Sequence, residues 1–72
     1  MSRSRLIRRA LRSRFLVTTN AGTFDGVLLE ADGRHYVLAD AAALGEDGKR
    51  TPIDGHLWVR AETVTYLQRP EV

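Results

Sequence analysis

The side chains best placed for chemistry in this sequence are its arginines and two histidines, and their arrangement argues against catalysis. His35 and His56 lie far apart in a chain without cysteine. Neither falls in a metal-ligand spacing, and no thiolate site can form. No Ser or paired carboxylate stands where it would make either imidazole a general base. The residues therefore predict a protein that is not an enzyme and has no metal or cofactor. The arginines form a different pattern. Arg3, Arg5, Arg8, Arg9, Arg12 and Arg14 are six of the eleven basic residues, and no acid interrupts them. Residues 15–72 carry five basic against nine acidic side chains, a net −4, although the chain as a whole is +2. Six like charges over fourteen residues repel one another, and a phosphate backbone relieves that repulsion. Such a cationic arm meets nucleic acid or an anionic membrane surface, and equally describes a solvated helix face.

Seventy-two residues hold one domain, expected over 1–72. A chain this short buries only about 60% of its unfolded surface, so its core is marginal alone. Small domains without disulfide or metal staples often gain stability by association. No apolar run approaches the roughly 20 residues that span a bilayer. The basic start lacks a signal-peptide apolar stretch. A cytoplasmic location without membrane contact is expected. The arginine- and alanine-rich, lysine-poor composition hints at a GC-rich bacterial or phage genome.

The elements that would position these side chains follow from periodicity. Residues 1–14 predict a basic N-terminal helix, capped at Ser2 or Ser4 and carrying Leu6, Ile7, Ala10 and Leu11 as one apolar stripe. It is too short to be stable in isolation, so it should lie on the open end of the rest of the fold. Five strands then follow within a barrel spanning 15–68. Residues 15–19 are aromatic and β-branched. Residues 23–31 are interrupted by Gly26, which marks a bulge or sharp bend. Asp32-Gly33 is a hairpin signal before a third strand at 35–40. Residues 41–55 read as a Gly-rich loop, and strands at 56–60 and 64–68 are joined by Ala61-Glu62-Thr63. Residues 69–72 form a tail, since Pro70 cannot donate to a sheet. The expected fold is mainly β, an N-terminal α-helix followed by a strongly bent, five-stranded antiparallel sheet.

Two motifs sharpen that outline. The first runs from Gly22 to Asp32, with Gly26 and Asp32 six residues apart, and resumes at Tyr36-Val37-Leu38-Ala39-Asp40-Ala41. The second is Trp58-Val59-Arg60-Ala61-Glu62-Thr63-Val64-Thr65-Tyr66-Leu67. Together they resemble the two signature motifs of the Sm-like (LSm/Hfq) family of ring-forming RNA-binding proteins, over about residues 15–68. Two positions depart from the family pattern. The 32–40 segment is one residue shorter and lacks the usual Asn, and Ala61 replaces Gly, which would be strained if the turn needed positive φ.

The resemblance implies a homo-oligomeric ring, with about five to eight subunits closing a heterologous contact. The strand at 56–60 would pair with that at 64–68 of the next subunit. It also implies single-stranded RNA as partner. The base-contacting pair of the turn maps to Arg34-His35 or His35-Tyr36, with Arg60 facing it. Arg60 reads as a hydrogen-bond partner for a base or for Asp32, or else as a strand-end surface arginine. Asp32 and Asp40 read as turn or subunit-contact residues. Trp58 and Tyr66 read as core or interface residues, and His56 as a solvent-facing loop residue. Arg3, Arg5, Arg8, Arg9 and Arg12 would hold the phosphate backbone. Two alternatives remain open: an SH3-like structural or protein-interaction adaptor without RNA binding, and a DNA or membrane-surface binder acting through the basic helix alone.

Overall fold

The structure, a computed structural model, describes residues 11–70. Six strands make one antiparallel sheet. They are β1 (Arg14–Thr19), β2 (Gly22–Ala31), β3 (His35–Leu44), β4 (Arg50–Pro52), β5 (Leu57–Arg60) and β6 (Val64–Gln68). The order is β4-β3-β2-β1-β6, and β5 also pairs with β3. One 3-10 turn, Ala61–Thr63, joins β5 to β6. Since β2 occupies one side of β3, β4 and β5 share the other lane end to end, against 42–44 and 35–38 of β3. The six strands therefore fill the five lanes expected from the sequence.

Residues 41–55 are not a plain loop. Ala41–Leu44 extend β3, and Arg50–Pro52 pair back against it. The turn between them is closed by the Lys49 N–H donating to Asp47 Oδ1, 3.0 Å, and the Gly45 N–H to the Lys49 carbonyl, 2.9 Å. Alanine is a poor strand former and Pro52 lacks an N–H, so composition hides this hairpin.

The helix expected over residues 1–14 lies mostly outside the described residues. Its final part is corrected. Leu11 and Arg12 form a turn with Arg12 at φ 68°, and Arg14 already opens β1. The cause is extended pairing. The Arg12 N–H donates to the Leu28 carbonyl, and the Leu28 N–H donates to Ser13, so these groups face β2 rather than a helical turn. Leu11 still packs on the core as expected.

The core is Phe15 and Val17 of β1, Leu28 of β2, Tyr36, Leu38 and Ala41 of β3, and Val59 of β5. Bending the sheet around so few side chains needs two register breaks between β2 and β3. At one, Asp40 and Ala41 oppose the single residue Gly26, a β-bulge that raises local twist. Asp40 takes φ 49° there, which Asp tolerates better than most residues. A Cβ on Gly26 would lie 2.9 Å from Leu38 Cβ and 3.2 Å from both the Ala39 carbonyl and Ala41 Cβ. Glycine lets the paired strands approach this closely at the bulge.

Beside the bulge, Asp25 is buried and bridges three strands. Its carboxylate accepts from Arg14, 3.1 Å, and from Arg50 Nε and Nη2, 2.8 and 2.7 Å. Arg14 also pairs with exposed Asp40. The hydrogen bonds and charge of Arg50, with the charge of Arg14, outweigh desolvation and hold the Asp25 carboxyl below its ordinary value of 3.8.

Two outcomes follow. Gly26→Ala should lower stability by about 1–3 kcal/mol, read by urea unfolding, because the new methyl overpacks a close approach that cannot open freely. Asp25 binds its proton less readily when folded, so its contribution is complete above about pH 5 and fades as pH falls through 3.8 and below. Asp25→Asn should cost about 1–3 kcal/mol at pH 7, from lost charged hydrogen bonds. The difference from wild type should shrink towards pH 3 in unfolding titrations.

Candidate nucleic-acid interface

Asp32 builds the turn that presents Arg34 and His35. Its Oδ1 accepts the backbone N–H groups of Arg34 and His35, at 2.8 and 2.7 Å. The Asp32 N–H donates back to the His35 carbonyl at 3.2 Å, and Gly33 at φ 90° supplies the left-handed turn residue. The two N–H donors, His35 first, hold the Asp32 carboxyl below its ordinary value. Asp32 is thus occupied by its own turn and not by Arg60.

The second motif arrives opposite. In the β3–β5 ladder His35 pairs with Arg60, Tyr36 with Val59 and Val37 with Trp58. The Ala61 N–H donates to the Arg34 carbonyl at 2.7 Å and locks the end of β5 onto the turn. Gly33, Arg34, His35, Arg60, Ala61 and Glu62 line one open cleft. Arg60 Nη2 meets Glu62 Oε1 at 2.5 Å, with both side chains about 70% exposed, so a ligand can displace this pair at little cost. The His35 ring lies edge-on to the Trp58 indole, with centroids 5.9 Å apart and planes at 63°.

The structure therefore brings Arg34, His35 and Arg60 into one cleft and leaves out Tyr36. Tyr36 is 5% exposed and its ring belongs to the core, because it follows His35 in a strand where neighbours point to opposite faces. Arg12 precedes β1 and does not line the cleft. Arg3, Arg5, Arg8 and Arg9 lie outside the described residues. Ala61 is unstrained: the only non-glycine residues at positive φ among the described residues are Arg12 and Asp40. Ala61 opens the 3-10 turn and packs partly on the core. Trp58 and Tyr66 are exposed at 64% and 58%, so neither fills the core. Glu62 and the contact of Trp58 with His35 were not anticipated. Writing out the antiparallel register of His35 with Arg60 would have exposed both.

The cleft offers an aromatic ring, two guanidiniums, a carboxylate and backbone groups, suited to stacking and hydrogen bonding of an unpaired base. Among the described residues no cluster of three or more His, Asp or Glu could hold a metal ion, and no helix is long and apolar enough to cross a membrane.

No protein-family model matches the sequence, and neither does any curated protein. Solved structures do match. A heptameric archaeal Sm protein is 20% identical, with TM-score 0.83 over 93% of this chain and 98% of its own. The SmAP1 heptamer of P. aerophilum is 19% identical, with TM-score 0.89 over 100% of this chain and 97% of its own. The Sm protein of Pyrococcus abyssii, solved in complex with a uridine heptamer, is 28% identical, with TM-score 0.81 over 93% and 96%. This chain has the Sm-like fold.

If the turn at Ala61 needed glycine, Ala61→Gly would stabilise the protein. The backbone angles predict the reverse: a loss of about 0.5–1 kcal/mol in thermal or urea unfolding, from the added freedom of the unfolded chain.

Proposed function

We propose that this chain assembles into a homo-oligomeric ring that binds single-stranded RNA and performs no catalysis. The single observation that carries the reading is the ladder that sets His35 against Arg60, with the Ala61 N–H closing on the Arg34 carbonyl, so that both motifs meet in one open cleft. His35 stacks on a base while Arg60 and Arg34 bind its edge or the adjacent phosphate. The arginine arm, through Arg3, Arg5, Arg8, Arg9 and Arg12, supplies sequence-independent affinity for the backbone.

Assembly has a physical motive. β5 and β6 each have one side without a strand partner among the described residues, and such edges invite pairing. Joining β5 of one copy to β6 of the next is a heterologous contact, which must close into a ring or run on as a fibre. The fold is shared with two heptameric proteins and with one bound to a uridine heptamer, which supports about five to eight subunits and uridine-rich RNA as the first ligand to try. A cytoplasmic setting suits such a partner.

Light scattering after size exclusion should give a mass of several chains at micromolar concentration. Short oligouridine should bind at low salt. His35→Ala should weaken it by the worth of one base stack, about 1–3 kcal/mol, or roughly 5- to 150-fold. Replacing Arg5, Arg8 and Arg12 by Ser should instead weaken all sequences alike and flatten the salt dependence. A monomer, or a ring indifferent to every oligonucleotide, would point to a structural or protein-binding adaptor.

A further inference from the structure

Trp58 and Tyr66 are the large hydrophobic side chains left exposed among the described residues. Their positions are not scattered. Trp58 lies on β5 and Tyr66 on β6, and each of these strands has one side unpaired among the described residues. Trp58 falls between the more buried Leu57 and Val59, and Tyr66 precedes Leu67, which packs on the core. Both aromatics thus stand on the outer face of the sheet. Antiparallel pairing of β5 with β6 of another copy would set outer-face side chains about 4.5–5.5 Å apart at the directly opposed positions.

Trp58 also has a partner within its own chain. Its indole meets the edge of the His35 ring at a centroid distance of 5.9 Å. One residue thus touches a side chain of the candidate base cleft and sits on a strand with an open edge.

We propose that Trp58 couples assembly to binding: it positions the His35 ring for stacking and is itself held in place by Tyr66 of a neighbouring copy of this chain. This rests on the ring-forming, RNA-binding reading above and goes beyond it, because the cleft then reaches its binding geometry only when the seam closes. An indole free to change rotamer leaves His35 without a brace, whereas one packed against a neighbour does not. Coupling of this kind is reciprocal, so RNA that needs a fixed His35 also favours the closed seam.

Trp58 is the only tryptophan in the chain, so its fluorescence reports the seam without a label. The full-length chain is compared with Trp58→Phe, Trp58→Leu and Tyr66→Leu. Native mass and heptauridine affinity are measured across protein concentration and salt. In wild type, emission should shift to shorter wavelength as rings form, and less so in Tyr66→Leu. Where light scattering shows rings, Trp58→Leu should bind heptauridine about tenfold more weakly, within the usual range of coupling between sites. Trp58→Phe should recover most of that loss, and the salt dependence should not change, because no phosphate contact is removed.

If Trp58→Leu loses the ring while Trp58→Phe keeps it, the seam contact is supported directly. Tyr66→Leu rings then carry the affinity test, since Tyr66 lies outside the cleft, and wild-type affinity in them overturns the coupling. Equal affinity of wild-type and Trp58→Leu rings overturns it too, as does emission that ignores assembly, and either leaves the proposed function standing. A wild-type ring that binds no oligonucleotide overturns both together.

Discussion

The close approach of β2 and β3 at Gly26 governs how this sheet closes. Only a hydrogen atom fits at Gly26, with Leu38 Cβ 2.9 Å from where a methyl would be. Because the strands approach so closely, two residues of β3 can bulge opposite one of β2 and the sheet can turn on itself. Everything nearer the candidate site inherits that curvature. It brings β5 alongside the first half of β3 while β4 keeps the second half. It also puts β5, with β4, in one outer lane of the sheet and β6 in the other, with β5 and β6 joined by one 3-10 turn.

The charged cluster beside this close approach holds the bend in place. Asp25 ties β1 to β4 across β2, and Arg14 reaches on to Asp40 in the bulge itself. A buried carboxylate is costly unless its acceptors are filled, and here both oxygens are. The arrangement differs from that at Asp32. There the carboxylate is exposed and serves only its own turn, orienting backbone N–H groups rather than linking strands. The first aspartate secures curvature and the second secures presentation of Arg34 and His35.

Much of this was legible in the sequence, and for definite reasons. Phe15–Thr19 and Val64–Gln68 announce themselves through aromatic and β-branched residues, Gly26 through its place inside an apolar strand, and Asp32-Gly33 through turn chemistry. His35 and Arg60 were identified through their place in two motifs, and the ladder puts them side by side. The β3–β4 hairpin was hidden by Ala41-Ala42-Ala43 and Pro52, whose types argue against strand although their tertiary setting overrides it. Tyr36 was assigned to the site because adjacency in sequence ignores the alternation of faces in a strand. The Asp25 cluster was invisible because its partners are 11 and 25 residues away, and no local pattern connects them.

The shared lane of β4 and β5 divides the molecule's labour. Arg50–Pro52 are exposed, and the hairpin tip at Gly45–Lys49 is held by bonds among its own residues. The cleft lies at the other end of β3, between the turn at Gly33–His35 and the end of β5 with Ala61 and Glu62. An added segment at that tip would therefore lengthen an arm without moving the chemistry, since loop closure cost grows only slowly with length. The hairpin is a natural place for such a chain to acquire extra sequence, or for an engineer to insert a reporter, while the other end of β3 keeps its grip on the turn that carries Arg34 and His35.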